Sequence, residues 1–204
     1  ATPAPTRIPV PTISPGISDT CAAPKVVQCG QTVYGSMTTA TAADPDSITD
    51  TYRDHWYTIT GPGKHVWAST CSPYTEFDTF LEVYTGSCSN LYKRAFNDDA
   101  DVCASTSLSS NVTWEGWSGE TYRIRVRAFS TSAPLGRYMF TITCGTTSLP
   151  GLTTGISDSC AAPKAIGCGQ TLYAIMNSAT SVDPDILADG YRDQWFYFNG
   201  AGTP

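Results

Sequence analysis

Between residues 56 and 144 the chain alternates apolar and polar side chains in short runs, and clusters of Gly, Pro, Asn, Asp and Ser separate one run from the next. The runs are 56–60, 65–71, 79–85, 91–96, 107–114, 121–128 and 137–144. A period of two is that of a strand with one buried face, and almost nothing here carries a helical period. Seven or eight short strands at this spacing predict an all-β fold, an antiparallel β-sandwich of Ig-like or jelly-roll-like type. The clearest run is TYRIRVRAF, in which Tyr122, Ile124, Val126 and Ala128 point one way and Arg123, Arg125 and Arg127 the other. One face of that strand is expected in the core and the other in water.

The chain also contains itself. The stretch opening GISDTCAAPK at Gly16 returns from Gly155 as GISDSCAAPK, at a constant offset of 139 residues, without a gap and with about half of the aligned positions identical. That is a tandem unit. The expected organisation is a Pro/Thr-rich extended linker at 1–16, a complete sandwich at 17–144, a second linker at 145–155 and an incomplete copy at 156–204. The match ends with Pro204 at the place of His65, so the chain is expected to be a piece of a longer array. A copy lacking the equivalents of 66–144 would expose an apolar face and unpaired edges. Either the chain continues, or another protomer completes the sheet by strand addition, with Arg7 to Ile13 as the candidate donor. The first linker holds five prolines among Thr, Ser and Ala, a composition that favours extended polyproline II and O-glycosylation. Its middle, TRIPVPTI, alternates apolar side chains and suits an edge strand as well.

The ordered series DHWYTITGPG, VWASTC, FDTFLEVYTGSC, NDD, WSGETYRIRVRAF and GRYMFTI, preceded by SDTCAAP at 18–24, resembles the pre-peptidase C-terminal-like β-sandwich domain of large secreted and surface proteins. The resemblance covers 17–144 and restarts at 156. It implies a non-catalytic accessory or architectural module and brings no catalytic residues with it.

Charge and cysteines narrow the setting. A net charge of −6 and a pI near 4.7 argue against nucleic acid and anionic membranes as partners. No apolar run approaches the roughly 20 residues of a spanning helix, and membrane insertion is not expected. The chain opens at Ala1 without a leader, so a signal peptide is expected to have been removed or to lie outside this stretch. Eight cysteines without zinc-type spacing read as disulfides and an extracellular or cell-surface location. Successive antiparallel strands end at alternate poles, which pairs Cys71 with Cys103 and Cys88 with Cys144. That leaves Cys21 with Cys29 as a local clip, repeated as Cys160 with Cys168; other connectivities stay open.

Candidate chemistry is sparse. Asp44, Asp46 and Asp50 recur as Asp183, Asp185 and Asp189, and the complete unit adds Asp78 with Asn97, Asp98, Asp99 and Asp101. Closely spaced hard oxygen ligands suit Ca²⁺, while the same residue types also cap turns; both readings stand. His55 becomes Gln194 in the second copy, no Ser sits in a GxSxG elbow and every Cys is expected to be bridged, so no catalytic residue is expected. Arg123, Arg125 and Arg127, with Lys93 and Arg94 beside them, form a stripe that either holds an acidic glycan or partner, or pairs with Glu82 and Glu120 on a solvated face. Trp114 and Trp117 are either a sugar platform or a core lid; Trp56 and Trp195 occupy the same place in both copies and read as core. Asn111-Val112-Thr113 is a sequon, and Thr2, Thr6, Thr12 and Ser14 are O-glycan acceptors. The leading expectation is a glycosylated, non-enzymatic repeat of an extracellular fibre, appendage or wall protein whose partners are its own neighbouring units. The alternative is a polysaccharide-binding or substrate-tethering module of a secreted hydrolase.

Overall fold

A computed structural model describes residues 11–42, 48, 50–103, 108–148, 163–166 and 196–197. The chain divides into two compact units, Ala1–Ser148 and Leu149–Pro204. Among the described residues nine strands build the first: β1 Lys25–Val26, β2 Thr32–Ser36, β3 Asp54–Thr60, β4 Lys64–Ser69, β5 Thr79–Ser87, β6 Asn90–Asn97, β7 Asn111–Gly116, β8 Thr121–Ala128 and β9 Arg137–Ser148. All seven expected runs are strands, and a short 3₁₀ turn at Met37–Thr39 is the one helical element among the described residues. Residues 145–148, expected in the second linker, extend β9 instead, where Ser148 pairs with Lys64 beyond a bulge.

One sheet has the order β1-β3-β8-β5-β6 and the other β2-β9-β4-β7. Every connection from β2 to β9 crosses between the sheets except the β5–β6 hairpin, the order of a double-sheet jelly roll. Alternation along each strand then fills the space between the sheets. Tyr57, Leu81, Ile124 and Val126 from one sheet meet Val66, Ala68, Phe140 and Ile142 from the other, all buried, and Tyr57 stacks on Phe140 at 4.5 Å. In the second unit Lys164–Ala165 (β10) pairs in parallel with Phe196–Tyr197 (β11). That register is the β1–β3 register, Lys25 on Tyr57 and Val26 on Thr58, moved by the repeat offset.

The cysteines correct two expected pairings. Cys71 bonds Cys103, as the pole argument expects, but Cys21 bonds Cys88 and Cys29 bonds Cys144. The local clip fails because β1 runs between Cys21 and Cys29 and carries the chain from the face of one sheet to the edge of the other. Cys29 lies opposite Cys144 when the β2–β9 register, Thr32 on Thr141, is extended by three residues. Cys21 follows Ser18, whose carbonyl accepts from Trp56 N at 2.7 Å, and so crosses β3 toward the end of β5. Cys160 and Cys168 lie outside the described residues.

A polar chain runs through the buried interior. Tyr138 Oη lies 2.6 Å from His55 Nδ1 and 2.7 Å from Tyr57 Oη, and all three residues are buried. Gly35 pairs with Tyr138, and a Cβ at residue 35 would overlap the Tyr138 ring, so glycine there makes room for the phenol. Burial pulls the His55 pKa from 6.5 down to about 4, against the opposing charge of Asp19.

Two outcomes follow from this arrangement. Peptide mapping without reduction should link Cys21 to Cys88, Cys29 to Cys144 and Cys71 to Cys103; a Cys21–Cys29 link overturns the topology argued above. Opening the Cys29–Cys144 bridge, which spans 115 residues, should cost about 4 to 5 kcal/mol by loop-closure entropy. For His55, the folded pKa lies below the unfolded one, so the unfolded chain binds the proton first. Its contribution is intact above about pH 6.5 and is lost as pH falls toward about 4. Relative to His55→Gln, the native protein should therefore lose roughly 2 to 4 kcal/mol of unfolding free energy across that window. Parallel stability curves for the two proteins would refute it.

Candidate functional site

Three strand ends meet at the pole closed by Cys71–Cys103. Asp78 immediately precedes β5, and Asp98 and Asp99 immediately follow β6, the partner of β5 in the hairpin. Backbone bonds fix these ends: Phe129 N donates to Asp78 O at 3.0 Å, Thr79 N to Leu108 O at 3.0 Å and Ala100 N to Ser109 O at 3.0 Å. The single hydroxyl proton of buried Ser110 is shared between two carbonyls within reach, that of Asp98 and, at 2.6 Å, that of Thr79. The result is that one carboxylate oxygen from each of Asp78, Asp98 and Asp99 lies within 4.8 Å of the others. Oxygens bound to one Ca²⁺ at 2.3–2.6 Å are separated by at most about 5 Å, so the spacing fits that ion.

The electrostatics point the same way. Asp78 Oδ1 and Asp98 Oδ1 are buried without a hydrogen-bond partner among the described residues. Burial, with the neighbouring charges of Asp98 and Asp99, pushes the Asp78 pKa up to about 6. Asp98 is raised too, by burial and by Asp99, with Arg127 opposing. A cation or a proton relieves this crowding, and turn capping by these two oxygens does not occur. The set is smaller than expected. Asn97 is spent on the backbone, its Oδ1 accepting from Asn111 N at 2.9 Å and its Nδ2 donating to Asp99 O at 3.4 Å. Asp101 is exposed and stands apart from the three.

The arginine stripe is not a wet surface. Arg125 is 2% exposed. Its guanidinium is held by Asp50 through two bonds of 2.7 Å, by Asp54, and by Glu82 at 3.3 Å. Burial disfavours its charge, but the hydrogen bonds of Asp50 and the charges of Asp54 and Asp50 outweigh that, and its pKa is raised. Glu82, itself buried, also accepts from Lys93 at 2.5 Å and Arg127 at 3.3 Å, and these cations keep its pKa below the usual range despite burial. Arg127 is packed between Tyr52 and Phe80, with ring centroids 4.1 and 3.9 Å away. Arg123 donates to the Gly86 carbonyl and Arg94 to Thr85 Oγ1. Cross-strand pairing with Glu82 is present, but the face is covered, by the segment around Ser18–Cys21 and by Ile48, Asp50 and Tyr52. Asp50 therefore serves Arg125 and not a metal; Asp44, Asp46 and their counterparts in the second copy lie outside the described residues.

Trp114 is buried in the main core, which makes it a lid and removes it as a sugar platform; Trp117 is half-buried. Trp56 is fully buried, but in a second, smaller cluster with Tyr84 and Cys21 on the outer side of its sheet. Among the described residues the exposed tryptophan is Trp67, which motif reading passes over. Its signal was present: Val66 and Ala68 face the core, so strand alternation turns Trp67 outward. Asn111 and Thr113 face outward on β7. Thr12 is exposed, whereas the Ser14 hydroxyl accepts from Tyr34 N at 3.1 Å; Thr2, Thr6 and Trp195 lie outside the described residues. Compared with protein-family models, curated proteins and solved structures, the chain finds no match in any of the three.

The acidic pole can be tested by stability. Asp78 has a folded pKa above its unfolded one, so its contribution is present below about pH 3.8 and is lost as pH rises through about 6. At pH 7.5 in chelator, Asp78→Asn should melt higher than the native protein. Added Ca²⁺ should stabilise the native protein by ~1.4 kcal/mol per tenfold rise above Kd and leave the variant unmoved. A native melting curve indifferent to free Ca²⁺ would remove the ion from this pole.

Proposed function

We propose that the chain is a non-catalytic structural repeat of a secreted, glycosylated fibre, appendage or wall-associated protein. The observation that carries this reading is the recurrence of the β1–β3 strand pair, in the same register, at the 139-residue offset of the sequence repeat. A unit copied with its pairing intact builds length. The supporting chemistry is structural throughout: three disulfides span 32, 67 and 115 residues, and the acidic and basic groups of the stripe are consumed in holding Arg125. Among the described residues no helix is long and apolar enough to cross a membrane, and disulfides at this density suit an oxidising exterior. The resemblance to the pre-peptidase C-terminal-like domain agrees with an architectural role. The extended opening segment supplies the joint: Ser14 N donates to Tyr34 O at 2.8 Å, laying Pro11–Pro15 along the free edge of β2. An edge that accepts such a segment from its own chain also suits one from a neighbour.

A second reading, a polysaccharide-binding accessory module, is favoured by Trp67 alone, a large aromatic turned outward on an open sheet face.

Residues 1–204 prepared under oxidising conditions should scatter light in a concentration-dependent way and show elongated particles by electron microscopy. Removing residues 1–13 should reduce that assembly while leaving the melting temperature of the complete unit within a few degrees. A monodisperse monomer at all concentrations rejects the fibre reading; saturable glycan binding lost in Trp67→Ala would put the second in its place.

A further inference from the structure

The outer face of the β2-β9-β4-β7 sheet differs from that of its partner sheet in being open. Trp67, at 37% exposure, stands among Ser69, Thr113, Thr141 and Thr143, with the His65 ring 6.3 Å away, Glu115 opposite His65, and Tyr34 and Met139 toward the β2 edge. Thr113 and Thr143 lie directly opposite Trp67 on either side. Gly145 leaves a gap on β9, and the tip of the indole lies against it: a Cβ there would stand 3.3 Å from Trp67 Cη2 and Cζ3. Tryptophan buries most of its surface on average, and here more than a third remains open beside short polar neighbours.

The sequon shares that face. Asn111 pairs with Ser69 and Thr113 with Trp67, so Asn111 is the diagonal cross-strand neighbour of Trp67, at about 7 to 8 Å between backbones. Gly145 lies at the corner opposite to Asn111, beside the His65 carbonyl. A glycan leaving Asn111 along this diagonal passes over Ser69 and Thr113 and then over the indole. We propose that Trp67 is the seat of the Asn111-linked glycan, the apolar C–H face of one of its two innermost N-acetylglucosamine residues packing on the exposed ring. The occupant is thus a sugar carried by this same chain, and the inference rests on the secreted, glycosylated reading above.

The test is a four-way comparison on residues 1–204 secreted from a eukaryotic host, with occupancy of Asn111 read by peptide mass. Melting temperatures are compared for the glycosylated protein, Asn111→Gln, Trp67→Ala and the double variant, so that side effects of each substitution cancel. The glycan should raise the melting temperature by about 2 to 4 °C when Trp67 is present, keep part of that gain in Trp67→Tyr and lose it in Trp67→Ala. An equal gain with and without the indole, or no gain with it, overturns the contact while leaving the glycosylated repeat standing. An unoccupied Asn111 in folded, secreted protein overturns the contact and the N-glycan together.

Discussion

A guanidinium with 2% of its side chain exposed cannot be left unpaired, and much of the first unit is arranged around that constraint at Arg125. Its carboxylates come from three places: Asp54 on the neighbouring strand β3, Glu82 on the other neighbour β5, and Asp50 from the segment that crosses the sheet. The contacts therefore fix the β3-β8-β5 register and pin a loop over it at the same time. Arg127 and Lys93 share Glu82, so three carboxylates face three cations and the covered group is neutral. Removing Arg125, Asp54 or Glu82 would leave a buried charge uncompensated, a penalty of about 3 to 5 kcal/mol for pairs of this kind.

With its charges satisfied, the outer side of the sheet can bear a second small core. Trp56 packs against Tyr84 and Cys21, with Arg125 5.8 Å from the indole centroid, and the Cys21–Cys88 bridge fastens the opening segment over them. The second copy keeps this set: Cys160, Asp189, Asp193 and Trp195 stand where the first has Cys21, Asp50, Asp54 and Trp56. It changes the interior polar chain instead, with Gln194 for His55, Phe196 for Tyr57 and Ala174 for Gly35, three positions that touch Tyr138 in the first unit. The three changes belong together, since room for the phenol and partners for its hydroxyl are one packing problem.

This separates what the sequence can tell from what it cannot. Period-two alternation located all seven expected strands because it depends on one face being dry, a local property of each run. It missed β1 and β2, of two and five residues, where Gly35 and a flanking Gly30 hide the pattern. Disulfide pairing depends on which sheet each strand joins, and with nearly every connection crossing over, a rule about poles fixed Cys71–Cys103 and failed for the rest. The stripe on β8 was legible as a shared face, but alternation does not say what lies on top of it. At the acidic pole, Asp78 and the Asp98–Asp99 pair are adjacent once β5 and β6 are recognised as a hairpin, which TGSCSN between them signals. The exclusion of Asn97 required knowing the partner of Asn111 N.

The two outer faces have opposite fates, and this bears on how a repeat of such units can work. The five-stranded sheet covers the middle of its outer side with an ion cluster, a tryptophan and a disulfide, while Phe96 on β6 stays exposed beside Phe80. Around Trp67 the four-stranded sheet carries short polar side chains, Ser69, Thr113, Thr141 and Thr143, with His65 and Glu115 farther along the same face. Threonine holds strand geometry through its β-branch while offering little apolar area, which disfavours sheet-on-sheet adhesion there. In the proposed array, contacts with neighbours would fall to the poles and to the β2 edge, along which Pro11–Pro15 lies. A module largely covered on one face, polar around a single indole on the other and joined through an edge would string in series without its broad faces adhering, which is the physical requirement of the proposed linear array.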